Sequence, residues 1–267
     1  MRIAIFGLGY VGSVSAACFA RDGHEVIGVD VNPLKVELIN AGQSPIIEEH
    51  MDRLIADGAA AGRLRATLSP EEAVAAADVS LICVGTPSRR NGDLDLQYVE
   101  NVSRQIGEAL AGNGDYHVIA LRSTVLPGTV ETSVVPLVAA ASGGEPGVDF
   151  GVCSNPEFLR EGSAVRDFEA PPFTLIGAVD ERSGDRLAQL YRSVEAPIVR
   201  TDVKTAEMIK YVSNAFHALK ITFANEIGNL CKEVEIDSHR VMDIVCMDTR
   251  LNISPAYLKP GYAFGGS

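Results

Sequence analysis

The stretch Arg2-Ile3-Ala4-Ile5-Phe6-Gly7-Leu8-Gly9-Tyr10-Val11-Gly12 decides how the rest of the chain is read. Its first residues form a short apolar run of the kind that makes a buried strand. The glycines that follow have the spacing of a phosphate-binding turn. Gly7 permits the tight turn, Gly9 lets backbone approach a pyrophosphate, and Gly12 lets the next helix pack close to the strand. A helix opening at Tyr10 and Val11 offers free N–H groups and a partial positive charge to the phosphates. The next apolar run, Glu25–Val29, ends in Asp30. A carboxylate there accepts hydrogen bonds from both ribose hydroxyls and repels a 2′-phosphate, so the expected cofactor is NAD rather than NADP. Lys35, on the segment that follows, is grouped with these cofactor-binding residues.

The alternation continues outward from this turn. Further strand candidates are Arg65–Thr67, Val79–Val84, His117–Arg122, Asp149–Cys153, Thr174–Ile176 and Ile198–Arg200. Helical spacing marks Val11–Asp22, Pro33–Ala41, Pro70–Ala76, Leu96–Leu110, Thr129–Ala140 and Glu181–Tyr191. Repeated strand-helix-strand units imply a Rossmann-like, doubly wound α/β fold with a mostly parallel sheet. From Val203 to about Glu233 there is no proline and one glycine, Gly228, which predicts a single long helix. Met208, Val212, Phe216, Leu219, Phe223, Ile227 and Leu230 form an apolar stripe along it. At about 45 Å such a helix is too long to cap one small sheet. The expected division is a dinucleotide-binding domain at 1–202, then a central helix with the start of a helical dimerisation and substrate-loop segment at 203–267. The helix is expected to link two domains or to pair with its mate in a homodimer.

Composition narrows the partners. The 267 residues are 46% hydrophobic and 22% charged, as in ordinary globular proteins, and carry a formal charge of −12. An acidic chain is a poor match for nucleic acid or an anionic membrane, since both reward a basic surface. A few lysines and arginines still suffice to bind a small phosphorylated molecule locally. The five cysteines, Cys18, Cys83, Cys153, Cys231 and Cys246, lack metal-knuckle spacing and read as thiols of a reducing compartment. No secretory leader is legible and no apolar run reaches the roughly 20 residues of a membrane span. A cytoplasmic protein without a metal is expected.

Other residues fall where an open parallel sheet binds ligands, beyond the carboxyl ends of strands. Gly85-Thr86-Pro87 follows the strand ending at Val84, and Ser123-Thr124 follows the one ending at Arg122. Ser123 and the Thr86 and Thr124 hydroxyls are candidates to touch cofactor or substrate, although a turn or helix cap explains either threonine equally well. Asn155-Pro156-Glu157-Phe158-Leu159-Arg160-Glu161 follows another strand end. Glu157 suits a general base and Glu161 a substrate contact, while a helix start that favours acids is an equal reading. Lys210 and Asn214 share a helix face, with His217 a further three along. An ammonium beside an amide can stabilise an oxyanion. Spacing alone favours a solvated polar face there.

Together these segments resemble the UDP-glucose/GDP-mannose dehydrogenase family. The resemblance rests on GLGYVG at Gly7–Gly12, VGTPS at Val84–Ser88, RSTVLPGT at Arg122–Thr129, SNPEFLREG at Ser154–Gly162, EMIKYVSNAF at Glu207–Phe216 and PGYAFGGS at Pro260–Ser267. Asn91-Gly92-Asp93-Leu94-Asp95-Leu96, His217 and Leu251-Asn252-Ile253-Ser254 look more like the members that oxidise GDP-mannose than those that oxidise UDP-glucose. The family carries out two NAD-dependent oxidations at the sugar C6, through an aldehyde captured by a cysteine and a thioester that is hydrolysed to the acid, a polysaccharide precursor. The resemblance implies that Lys210 and Asn214 stabilise oxyanions and that Glu157 assists hydrolysis, with Thr124 helping to place water. It also puts Asn252, Tyr257 and Lys259 on a loop touching the sugar nucleotide. Lys259 departs from the family's arginine, and a point charge does not replace a planar fork on phosphate. In the family the Gly-Gly-Ser run precedes the nucleophilic cysteine, whereas this sequence ends at Ser267. The 267-residue chain is therefore expected not to complete the four-electron reaction. Two rival readings need no cysteine: a one-step hydroxyacid dehydrogenase, and a non-catalytic NAD-binding dimer module.

Overall fold

The computed structural model describes residues 1–249, which divide between two compact units, Met1–Tyr211 and Val212 onward. The first unit contains the whole sheet. In chain order it holds β1 (Arg2–Phe6), α1 (Tyr10–Arg21), β2 (Glu25–Val29), α2 (Pro33–Asn40), α3 (Met51–Ala60), β3 (Leu64–Thr67), α4 (Pro70–Ala75), β4 (Val79–Ile82), α5 (Gln97–Leu110) and β5 (His117–Leu121). It continues through α6 (Val135–Ser142), β6 (Phe150–Ser154), α7 (Ala164–Glu169), β7 (Thr174–Ala178), α8 (Glu181–Ala188), β8 (Ile198–Thr201) and the start of α9 (Val203–Glu233). Local chemistry starts several of these helices. Asn32, Ser69 and Asp180 cap α2, α4 and α8 by accepting backbone N–H groups, and Pro33 and Pro70 occupy the first turns of α2 and α4.

The strand order is β3-β2-β1-β4-β5-β6-β7-β8. All neighbours run parallel except β6 and β7. Alternate residues face opposite layers: Ile3, Ile5, Val79, Leu81, Val118 and Ala120 join one core, while Ala4, Phe6, Ile82, Ile119 and Leu121 join the other. Both faces are thus buried, as an all-round apolar strand requires. Order reverses between β1 and β4, the switch point where such sheets bind ligands. The antiparallel pairing Ser154↔Gly177 has a further consequence. Because β7 starts on the side where β6 ends, the 155–173 connection begins and finishes at the carboxyl end of the sheet.

Every expected strand and most of the expected helices form, with ends moved by a residue or two. The helix expected over Thr129–Ala140 is instead a π turn at Val130–Val134 followed by α6. Pro136 lacks an N–H and its ring crowds the carbonyl four residues back, which widens the turn. In the first turns of α9 the buried positions are Val203, Ala206, Glu207 and Lys210, whereas Met208 of the apolar stripe is half exposed.

In the second unit α9 runs on to a turn at Glu235, which has φ +53°, and α10 (Ser238–Cys246) follows, capped by Asp237. Cys231 is buried there, while Val212, Leu219, Phe223 and Leu230 are exposed. No helix among the described residues is long and apolar enough to cross a membrane.

Candidate functional site

The glycine turn is built as its spacing requires. Gly7 has φ +95°, a conformation that L side chains rarely adopt, and its N–H donates to Val29 C=O at 2.7 Å. A Cβ on Gly12 would lie 1.8 Å from the Gly7 carbonyl oxygen, so only glycine allows α1 to start this close to β1. A Cβ on Gly9 would meet nothing within 4 Å, and no side chain caps the N-terminus of α1. Uncapped helix N–H groups facing open space form a cradle that suits a pyrophosphate.

Asp30 and Lys35, five residues apart in the chain, are paired in space. Lys35 Nζ donates to Asp30 Oδ2 at 3.1 Å, and the same oxygen accepts Leu8 N–H at 2.7 Å. Asp30 Oδ1 accepts Asn32 N–H at 2.9 Å. The carboxylate is thereby fixed at the carboxyl end of β2, one strand from the glycine turn, where a dinucleotide's ribose lies in this fold.

The loops after β4 and β5 meet beside it. Thr86 Oγ donates to Thr124 C=O at 2.7 Å, and Ser123 Oγ donates to Val84 C=O at 2.6 Å. Thr124 is half-buried, with its backbone engaged in this way. Glu207, which the sequence reading passed over, holds the same crest from α9: its oxygens accept Val130 N–H at 2.9 Å and Gly128 N–H. Glu207 is 2% exposed, and burial pushes its carboxyl up, against the two N–H bonds that pull it down. A lone acid among the apolar positions of an early helix turn is the only local hint of this role.

The third group is the connection after β6. Asn155 is buried; its amide donates to Leu175 C=O at 2.9 Å, and its oxygen accepts from Arg122 at 2.8 Å and from the Tyr191 hydroxyl. Two residues on, Glu157 Oε1 accepts Lys210 Nζ at 3.0 Å, and Glu157 Oε2 accepts Leu159 N–H at 2.6 Å. Lys210 also donates to the Glu157 carbonyl and lies 5.4 Å from the Phe158 ring centre. Lys210 is 8% exposed, which corrects the solvated face that spacing alone favoured. Its length lets it reach from α9 to the sheet's carboxyl end, and Glu157 balances its charge there. The sequence reading held both residues but not their pairing, which spans 53 positions.

Not every candidate joins this cluster. Glu161 is exposed on the same connection. Asn214 and His217 belong to the second unit. Asn252, Tyr257 and Lys259 lie outside the described residues. Glu48 was missed altogether. It binds the Tyr10 hydroxyl and the N–H groups of Gly162 at 2.7 Å and Ala164 at 3.2 Å. Nothing in its acidic loop marks it from the sequence. Cys18, Cys83 and Cys153 are not poised for attack: burial pushes the thiols of Cys18 and Cys83 up to about 12 and that of Cys153 higher still.

Known proteins with this arrangement are similar over the whole chain. GDP-mannose 6-dehydrogenase of Pseudomonas aeruginosa is 55% identical over all 267 residues, and the chain spans 61% of its length. UDP-glucose 6-dehydrogenase of Haloferax volcanii is 39% identical, with 100% of this chain and 62% of that protein covered. The crystal structure of a ternary complex of the Pseudomonas aeruginosa GDP-mannose dehydrogenase superposes with a TM-score of 0.98, covering 100% of this chain and 61% of that one at 55% identity. Residues 1–195 match the NAD binding domain of the UDP-glucose/GDP-mannose dehydrogenase family and residues 204–267 its central domain. With an NAD cradle at the switch point, the Lys210–Glu157 pair at the same end of the sheet and both family domains in order, the chain belongs to the UDP-glucose/GDP-mannose dehydrogenase family.

Proposed function

We propose that this chain supplies the NAD-binding domain and part of the catalytic site of an NAD-dependent sugar-nucleotide 6-dehydrogenase whose substrate is GDP-mannose. The observation that carries the reading is the buried Lys210–Glu157 pair at the carboxyl end of the sheet that also bears the dinucleotide turn. The choice of GDP-mannose over UDP-glucose is supported by 55% against 39% identity to the two kinds of relative. We put the functional division at 202/203, a reading supported by the passage from the last strand to α9 there.

Bound NAD supplies the hydride acceptor. The residues of the chain bind it through the N–H groups of Tyr10 and Val11, the Asp30 carboxylate and the loops carrying Thr86 and Ser123. Lys210 has three N–H donors, and Glu157 takes two of them through its side chain and carbonyl. The third is available to a sugar oxygen as negative charge builds on it, and the family resemblance supports an oxyanion role for Asn214 and a substrate contact for His217. When the C6 hydroxyl gives up its proton to water and C6 its hydride to that acceptor, an aldehyde forms, and Lys210 would steady the intervening alkoxide. Addition of a cysteine thiol to the aldehyde and loss of a second hydride to a second acceptor would give a thioester, and Glu157, held by Lys210 and Leu159, keeps lone pairs free to orient, with Thr124, the water that would cleave it to the acid and the free thiol. Glu161, Asn252, Tyr257 and Lys259 complete the substrate contacts. Cys18, Cys83 and Cys153 are too deeply buried to capture the aldehyde, so none of these three is assigned the nucleophile's role.

Exposed Val212, Leu219, Phe223 and Leu230 along α9 support a homodimer, which sedimentation as a function of concentration will test. Free buried thiols support a cytoplasmic setting. The function is tested by counting NADH released per limiting GDP-mannose by the full-length gene product, with UDP-glucose in parallel. Two per GDP-mannose is expected. Two from UDP-glucose alone overturns the substrate, and one from either overturns the two-step reaction.

A further inference from the structure

The connection that carries Glu157 is anchored in three places. At its start Asn155 is locked by Arg122, Tyr191 and Leu175. In its middle Glu157 is held by Lys210. At its end the anchor is Glu48, which comes from the loop between α2 and α3, 114 residues away from Gly162 in sequence. Asp167 helps there, accepting Arg160 N–H at 3.0 Å and the Arg160 guanidinium at 2.6 Å.

Glu48 differs from the other anchors in what it joins. Its Oε2 accepts both Gly162 N–H and the Tyr10 hydroxyl, and its Oε1 accepts Ala164 N–H. The Tyr10 oxygen in turn accepts Gly162 N–H at 3.2 Å. No lysine or arginine among the described residues pairs with Glu48, so the carboxylate is bound by N–H and O–H groups alone. Tyr10 is the first residue of α1 and follows Gly9 directly. A ligand that fixes the start of α1 therefore fixes Tyr10, and through Glu48 it restrains the segment ending at Gly162. Phe19 braces the same corner from α1, edge-on to Phe168 of α7 at 5.1 Å and to Tyr191 at 5.5 Å.

We propose that Glu48 is a positioning residue that ties the Glu157 connection to the dinucleotide-binding turn, so that seating NAD and setting the Lys210–Glu157 pair are energetically coupled. The inference rests on the NAD reading of the turn and goes beyond it by naming the residue that transmits it. Coupling of this kind is reciprocal: whatever loosens the connection must weaken NAD.

Hydrogen exchange of the segment 159–164, with and without NAD, together with calorimetric NAD affinity, tests this in the wild-type chain, Glu48→Ala, Glu48→Gln and Tyr10→Phe. NAD is expected to slow exchange of the segment in the wild type. In Glu48→Ala exchange is expected to be fast with or without NAD, and the Kd to rise on the order of tenfold. Glu48→Gln keeps one acceptor and is expected to restore part of both effects. If Glu48→Ala fails to fold, Tyr10→Phe removes only the hydroxyl bridge and is expected to reduce the protection NAD gives. Equal NAD affinity and equal NAD-dependent protection in wild type and variants would overturn the coupling while leaving the cofactor site intact. No NAD binding by the wild-type chain would overturn the cofactor reading and the coupling with it.

Discussion

His117 shows how a single residue can record the fold's dependence on pH. It sits in the middle strand region at the start of β5, 2% exposed, with Nε2 against Ser80 Oγ at 2.8 Å. Burial pushes its pKa down to about 4, against the nearby Asp78 carboxylate, which raises it. The unfolded chain takes up this proton near pH 6.5, whereas the folded chain waits until about 4. The residue's contribution is therefore complete above pH 6.5 and is lost as pH falls from there towards 4, at about 1.4 kcal/mol per unit. Urea denaturation at pH 7.5 and 5.0 is expected to show a fall in His117→Gln smaller than the wild-type fall by about 2 kcal/mol. Equal falls would mean that the imidazole is protonated in the folded protein. At this scale the sequence revealed residue types better than their partners. Asp30, Glu157 and Lys210 were legible because each sits at a strand end or on a periodic helix. Glu48 and Glu207 were not, since each carboxylate binds backbone N–H groups far away in sequence, and backbone leaves no trace in composition.

Among the elements, α9 does more than span. Its early turns hold the crest after β5 through Glu207, whose oxygens satisfy two N–H groups where the chain turns into the π segment. Glu207→Ala leaves both buried donors without an acceptor and is expected to cost about 2–6 kcal/mol in chemical denaturation, at about 1–3 per donor. Glu207→Gln, which keeps one acceptor, is expected to cost roughly half as much. A loss below about 0.5 kcal/mol for the alanine variant would place the anchor elsewhere, since that is the range of featureless surface sites. Strands were read well because both sheet faces are buried, giving unbroken apolar runs. The reversal of β7 was not legible. Nineteen residues separate Ser154 from Thr174 in the chain, enough for a parallel crossover, and the anchors on Asn155, Glu157 and Gly162, far apart in sequence from their partners, hold that connection at one end of the sheet. The long helix was legible from its lack of proline, but Met208, Val212, Leu219, Phe223 and Leu230 of its apolar stripe are exposed, while its early turns bury Val203, Ala206, Glu207 and Lys210.

Across the whole molecule, a −12 chain holds a cradle for an anionic dinucleotide. Local geometry resolves this: the α1 N-terminus, Lys35 and Lys210 face the carboxyl end of the sheet, whatever the sign of the remaining surface. Residues 1–195, which match the family's NAD binding domain, hold the cofactor turn and Glu157, and residues 204–267, which match its central domain, hold Lys210. The measurement that bears most directly on this reading is a calorimetric titration of the chain with NAD and, separately, with NADP. Asp30 is expected to give saturable one-to-one NAD binding and at least tenfold weaker NADP binding, through repulsion of the 2′-phosphate. Tight NADP binding, or no binding of either dinucleotide, would contradict the assignment of the Gly7–Gly12 turn and Asp30 on which the rest depends.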